Sequence, residues 1–423
     1  MVIVLTFTNL PGENHLVHRV KSPEIAASRT RFRKPVERYK PVNKFGRNIL
    51  TTEGDEWKRY RKIASPAFSE RNNRLVWEET TQVVSQLFSD VWQNQERVDV
   101  DDCLKDLTLP VRTSSQRRID FMLIILQLAL FVIGAAAFGR KISWKDGDKC
   151  PPGHAMSFKQ ALGLSTDIII ARAAFSPFIR KLVPRLRKMD IAYDELKSYM
   201  AELISESTGP TQHIQRHDLL SLLVGHSGDD KMNPLMEEEV MGNVFLFLTA
   251  GHETTAQTLC FTFALLALYP DEQEAVYQEI ESYVPNATAP VSIVTEIPKV
   301  AAEDTVLTAG SLTGESKTIP VPKGTRVSFN VPGTHYNARY WSDPLEFKPS
   351  RFLDPSWPRD AFIPFSAGQR SCIGRRFFEV EAVAVMVMLL SQYRINVKEE
   401  PAFAGETWKE KRVLACTMGG TLT

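Results

Sequence analysis

The sequence predicts a mainly α-helical fold with a small β portion, organised as a single large domain over residues 1–423. Three observations carry that expectation. Residues 237–268 run without a proline and stop before Pro270, which gives one helix about 48 Å long at the standard rise per residue. Residues 121–138 form an apolar run interrupted only by Gln127. Strand-like alternation is confined to residues 318–331, around Pro322-Lys-Gly324, where a hairpin is expected. With 423 residues and 43% hydrophobic composition, the chain can bury a large core.

In chain order, Met1-Val-Ile-Val-Leu-Thr-Phe is too short to span a bilayer and lacks the basic region of a signal peptide. Residues 56–64 read as a short basic helix ended near Pro66. Residues 72–93 carry Val76, Val83, Val84, Leu87, Val91 and Trp92 at helical spacing. The apolar run 121–138 is flanked by Arg117 and Arg118 before it and by Arg140 and Lys141 after it. It meets the length criterion for a membrane span and equally suits the core helix of a large helical domain, so both readings stand at this point. Helices follow at 194–205, through Leu196, Met200, Leu203 and Ile204, then at 237–268, 271–283 and 374–392.

Charge excludes one class of partner. The 51 basic and 50 acidic residues nearly cancel, so nothing in the balance favours nucleic acid. The five cysteines, at 103, 150, 260, 372 and 416, show no CxxC spacing, which argues against a disulfide framework or a zinc cluster and for a reducing compartment.

The chemistry concentrates around Cys372, in Phe365-Ser-Ala-Gly368-Gln-Arg370-Ser-Cys372-Ile-Gly374, just before a helical apolar run. A thiolate needs nearby donors to hold its charge, and a turn permitted by Gly368 and Gly374 turns backbone N–H groups toward the sulfur. The following helix aims its positive dipole end the same way. Cys372 therefore reads as the axial thiolate of a haem iron, with Arg370 in reach of a propionate.

Inside the long helix, Ala250-Gly251-His252-Glu253-Thr254-Thr255 is rich in residues that weaken helices. Small residues at Ala250 and Gly251 let a flat ligand approach the backbone, and a hydroxyl beside a carboxylate relays protons into a dry pocket. A Gly/Thr kink packed against another helix would leave the same pattern. Upstream, Trp57 and Arg61 share one helical face, so an indole N–H and a guanidinium can meet the same anion, as can a plain basic surface helix.

These motifs, in this order, resemble those of cytochrome P-450, the haem-thiolate monooxygenases. His335-Tyr-Asn-Ala-Arg-Tyr-Trp341-Ser-Asp-Pro344-Leu-Glu-Phe347-Lys-Pro349-Ser-Arg351-Phe352 is similar to the family's meander. The resemblance covers nearly all the chain from Thr30 onward. It implies the cytochrome P-450 fold around a buried haem b, with Cys372 as metal ligand, Glu253 and Thr254 delivering protons to bound dioxygen, and Trp57 and Arg61 on the propionates. It further implies a lipophilic small-molecule substrate with O2, and NADPH acting through a separate flavoprotein reductase. A monomer on the cytosolic face of the endoplasmic reticulum membrane follows from the same source, with a cytoplasmic location as the alternative where no anchor is present.

The sequence also departs from the family. The N-terminal anchor and part of the N-terminal sheet are missing, residues 110–127 look like an insertion, and no Glu-x-x-Arg helix occurs near 284–297. Arg351 is then expected to be a buried cation without its partners, a costly state. An insertion and a deletion beside matching sequence point to a retained intron and a skipped exon. Two other readings follow: a non-catalytic remnant that does not hold haem, and an unrelated helical membrane protein spanning with residues 121–138. Residues 175–188 mix large apolar side chains with five basic ones, as a membrane-surface segment would. Lys58, Arg59, Lys62, Arg375 and Arg376 are expected to form a basic face for an acidic electron donor.

Overall fold

The structure is a computed structural model that describes residues 2–6, 14–17, 25, 28, 30–98, 100–101, 119–145, 149–208, 218–225, 235–278, 280, 296–310 and 316–397. The expected insertion, apart from 119–127, and most of the region lacking Glu-x-x-Arg lie outside the described residues. The chain divides into two compact units, one holding Met1–Pro35 and Phe261–Arg375, the other Val36–Cys260 and Arg376–Ala402.

The first unit carries the β structure. Strands β1 (Val2–Thr6), β2 (Asn14–Val17) and β3 (Phe32–Arg33) join β6 (Glu296–Ala301) and β9 (Arg326–Asn330) in an antiparallel sheet of order β2-β1-β9-β6-β3. The remaining strands of this unit, β7 (Thr305–Gly310) and β8 (Ser316–Val321), pair with each other. One register runs through both ladders, with Glu296 opposite Asn330, Val300 opposite Arg326, Thr305 opposite Val321 and Gly310 opposite Ser316. The expected hairpin thus exists but is longer, and it reverses between Gly310 and Ser316 rather than at Pro322-Lys-Gly324.

That tripeptide instead makes a bulge in one arm. Thr325 N donates to Pro322 O (3.1 Å), Gly324 takes φ +87°, Gly324 N donates to Ala301 O (2.8 Å) and Ala301 N donates to Thr325 O (2.9 Å). Locally Gly324 and Thr325 both face Ala301, with glycine at the left-handed position, and residues 302–304 on the opposite arm restore the common register. A Pro-x-Gly signal serves a hairpin turn and such a bulge equally well. Beneath the sheet, Phe32, Leu307, Val321, Val327, Phe329, Val331 and Ile363 form a core cluster.

The second unit is helical, with the small parallel pair β4 (Val100–Asp101) and β5 (Ile119–Asp120). Helix α1 (Gly54–Ala64) runs into a 3₁₀ turn at Ser65–Phe68, and α2 (Glu70–Gln86) into a π-helical turn at Leu87–Val91. Helix α3 (Phe121–Phe138) packs against α2, and fourteen of its eighteen residues are buried within the protein. It serves as a core helix. Next come α4 (Phe158–Gly163), α5 (Ser165–Ala174) and α6 (Pro177–Leu182), all packed on α7 (Pro184–Thr208), and then α8 (Leu219–Gly225). The long helix α9 (Glu237–Leu268) has the expected bounds, and up to Cys260 it belongs to this unit, as does the final α12 (Arg375–Gln392) from Arg376 onward. The end of α9, α10 (Pro270–Gln278) and, after β9, the short α11 (Val331–His335) belong to the first unit.

Three charge expectations change. Arg351 is half-exposed and donates to four backbone carbonyls: Nε to Lys348 O (3.0 Å), Nη1 to Ser342 O (2.8 Å), and Nη2 to Asp343 O (3.2 Å) and Glu346 O (2.9 Å). It is neither deeply buried nor without partners, because the meander supplies peptide oxygens where carboxylates were expected. Partial desolvation pulls its pKa down, opposed by Asp343, Glu272 and Glu346. Arg59 is not part of an open basic face, because its guanidinium pairs with the buried Glu239, which also accepts from Tyr60 Oη (2.6 Å) and from Met236 N (2.9 Å). Arg180 likewise turns inward to Asp190, leaving Lys181, Arg185, Arg187 and Lys188 exposed in the basic segment.

Candidate active site

In the first unit, one loop carries Phe365, Gly368, Arg370, Cys372 and Gly374. Its base is closed by Cys372 N donating to Phe365 O (2.9 Å), and inside it Gly368–Arg370 forms a 3₁₀ turn with Ser371 N on Gly368 O (3.1 Å). Two residues are left-handed, Gly368 at φ +73° and Ser366 at φ +62°. Gly374 is not among them, so the turn rests on Ser366 where Gly374 was expected. Nothing in the residue type signals this, since serine carries no left-handed preference.

Cys372 is exposed and its thiol is in no disulfide. It lies three residues before α12, whose first turn holds Arg375 and Arg376 and no acidic side chain. Arg375 also stands over the Phe365 ring, 5.3 Å from its centroid, which braces the loop against the helix start. Arg370 is half-buried on the same loop.

In the second unit, α9 holds Ala250, Gly251, Glu253 and Thr254. Ala250 and Thr254, one turn apart, are exposed, whereas Leu248, His252, Thr255 and Ala256 around them are buried. Ala250 and Thr254 are thus open between buried neighbours. Thr254 Oγ1 donates to Ala250 O (2.7 Å) and Thr258 Oγ1 to Thr254 O (2.9 Å). Because the Thr254 proton is spent on the backbone, its lone pairs face outward as acceptors. Glu253 is half-buried. His252, to which the sequence assigned no role, is buried and donates Nδ1–H to Leu248 O (2.7 Å), and burial pulls its pKa down, keeping it neutral.

Gly251 does not belong to the open pair. A Cβ there would come within 2.0 Å of Ile133 Cδ1 on α3, so the glycine serves helix packing, the alternative the sequence left open. Trp57 and Arg61 occupy one face of α1, both half-buried. Each unit by itself carries groups of a type that suits a haem: the first an exposed thiol beside a cationic segment, the second an open pair of small residues and, on another helix, indole and guanidinium donors one turn apart.

The comparisons agree. The family model for cytochrome P450 matches residues 12–404. Cytochrome P450 monooxygenase 124 of Postia placenta is 46% identical over 414 residues, covering 92% of this chain and 76% of that protein. Cytochrome P450 monooxygenase ORF6 of Penicillium roqueforti is 27% identical over 444 residues, covering 89% and 72%. The crystal structure of the cytochrome P450DA heme domain superposes with a TM-score of 0.69 at 22% identity, over 92% of this chain and 83% of that one, which speaks to the fold. The reading as an unrelated membrane protein is thereby overturned. A family model matching most of the chain, a mainly helical fold and monooxygenase relatives over most of its length converge: the chain belongs to the cytochrome P450 family, as an oxidoreductase of the monooxygenase class.

Proposed function

We propose that this chain uses haem b, whose iron Cys372 would hold, to insert one atom of O2 into a lipophilic small molecule, taking electrons from NADPH through a flavoprotein reductase. The reading rests chiefly on the exposed Cys372 thiol at the start of a helix whose first turn is cationic. When bound, haem supplies the iron at which dioxygen is activated, and thiolate ligation favours O–O cleavage.

Each residue has a distinct task in this reading. Phe365, Gly368 and Gly374 shape the loop that presents Cys372. Arg370, Trp57 and Arg61 offer N–H donors to the propionates. Ala250 keeps the open part of α9 low enough for a flat ring, and Gly251 holds α9 close to α3. Thr254 presents acceptor lone pairs to an incoming proton donor, and Glu253 on the same helix exchanges protons with solvent. Residues 175–188 support contact with the cytosolic face of the endoplasmic reticulum membrane.

The test is the reduced, carbon monoxide-treated spectrum of the full chain. A Soret band at the thiolate-shifted position, lost in Cys372→Ser, is the expected result. An unshifted band in the parent chain means that ligation fails. No band at all means a remnant that does not retain haem, a reading favoured by the absence of Glu-x-x-Arg between Asp271 and Arg351.

A further inference from the structure

We propose that His335 is a positioning residue for Cys372, acting as the hydrogen-bond acceptor that ties the base of the cysteine loop to the β-sheet. The inference builds on the proposed ligation but concerns contacts within this chain.

His335 ends α11, which follows β9 directly. The Asn330 side chain accepts from Gly333 N (2.7 Å) and Thr334 Oγ1 donates to Asn330 O (3.0 Å), so the short helix is fixed to the strand that precedes it. The His335 ring is 2% exposed and stacks beside Phe362, 6.1 Å between centroids. Its Nε2 accepts the backbone N–H of Ile363 at 3.1 Å, a bond spanning 28 residues. For Nε2 to accept, it must carry no hydrogen.

Ile363 is held at three points. Its N–H is on His335, its carbonyl accepts Ser366 N (3.1 Å), and its side chain is 3% exposed in the core cluster with Phe329 and Val331. Two residues later, Phe365 O accepts Cys372 N (2.9 Å) and closes the loop. A continuous path therefore runs from β9 through His335 to the peptide that orients Cys372. The buried Ile363 N–H needs an acceptor, and without one the base of the loop opens toward water. A bulky apolar residue at 335 would fill the space and still lack the acceptor. Glutamine would retain it, because its side-chain oxygen reaches about as far as Nε2.

The experiment compares His335→Leu, His335→Met and His335→Gln in the full chain, with and without haem. Without haem, hydrogen exchange of the peptide spanning Ile363 and Cys372 is read by mass spectrometry, with the β6 and β9 peptides as internal controls. His335→Leu and His335→Met are expected to raise exchange in that peptide about tenfold, the size expected when a buried N–H loses its acceptor and local opening becomes easier. His335→Gln is expected to restore the parent rate, and the sheet peptides to stay protected in all three. With haem, the leucine and methionine variants should lose the thiolate-shifted carbonyl band in parallel, and the glutamine variant should keep it. Equal exchange in parent and methionine variant, or equal effects of methionine and glutamine, would overturn the proposal. Should His335→Leu fail to fold, the methionine and glutamine pair decides alone. A parent chain that binds no haem would sink the proposed ligation yet leave the exchange comparison intact.

Discussion

Gly251 of α9 and Ile133 of α3 meet so closely that a methyl group on the glycine would lie 2.0 Å from Ile133 Cδ1. The contact lies one residue along α9 from the open position Ala250, so it sets how far α9 can stand from α3 while that position stays clear.

Gly251→Ala should therefore push the Ile133 side chain aside, and because its Cδ1 is the flexible end of that chain and alanine gains about 1 kcal/mol over glycine inside a helix, the net loss should be no more than about 1 kcal/mol. In an Ile133→Ala background the added methyl meets no obstruction, so Gly251→Ala should be neutral or stabilising there. Thermal denaturation of the four proteins in the cycle measures it. Additive losses would mean that the two residues do not share one packing constraint.

Glu239 anchors the start of α9 by receiving Arg59, Tyr60 and the Met236 N–H, with its side chain 5% exposed. Burial and the Glu239 carboxylate push the Tyr60 phenol well above its ordinary value, so Tyr60 stays a donor. Glu239→Ala would remove the buried carboxylate that receives Arg59, Tyr60 and the Met236 N–H, and should cost about 3 kcal/mol. Glu239→Gln, which retains an acceptor, should cost less. A chemical-denaturation series on both variants checks the order.

Ser366 sits at φ +62° in the cysteine loop, a conformation that costs a side-chain-bearing residue roughly 1–2 kcal/mol. Ser366→Gly should accordingly raise stability by about 1 kcal/mol, after allowance for the greater entropy of an unfolded glycine. A fall in melting temperature for this variant would show that the serine hydroxyl contributes more than the backbone strain removes.

The long-range signals in this sequence were those with an unambiguous period or identity. Helix α9 was legible to the residue, because its apolar run has no proline before Pro270 and charged side chains open it. The turn of the cysteine loop was legible from Gly368, which takes φ +73°, but not from Gly374, which does not share that conformation. What failed depended on local backbone alternatives or on partners distant in sequence. Pro322-Lys-Gly324 codes for a turn and a bulge with the same residues. Arg351 reads as an ion-pair partner from its type alone, whereas its position among the carbonyls of Ser342, Asp343 and Glu346 depends on how the meander coils. Arg59 and Lys58 look alike in sequence, and only burial of Glu239 separates the structural cation from the exposed one.

Glu381 on α12 is 1% exposed, and its Oε1 has no hydrogen-bond partner. Burial alone pushes its carboxyl well above the ordinary value of 4.5. The folded state therefore keeps a proton that the unfolded chain releases once pH exceeds about 4.5, so stability is greatest below that point and falls as pH rises toward the folded pKa. The slope in that window is about 1.4 kcal/mol per pH unit for a single group. Glu381→Gln should flatten it, leaving the variant more stable than the parent at pH 8 and nearly equal at pH 4. Parallel slopes for the two proteins would place the carboxyl in an ionised, paired state.

Phe178 and Leu182 on α6 are 72% and 66% exposed, beside exposed Phe175 and Ile179. Arg180 from the same short helix is buried against Asp190, which fixes α6 on α7 and presents the apolar side chains outward as a rigid set. Lys181, Arg185, Arg187 and Lys188 stand exposed around them, so the patch combines insertable apolar area with charge suited to anionic lipid. Sedimentation with vesicles of mixed phosphatidylcholine and phosphatidylserine should carry down the parent chain, less at high salt. The Phe178→Asp, Leu182→Asp double variant should lose binding in both conditions, because it removes the inserted area while the four cations remain. Retained binding of that variant at low salt with full loss at high salt would assign the contact to charge alone, and no binding by the parent would remove this surface from membrane attachment.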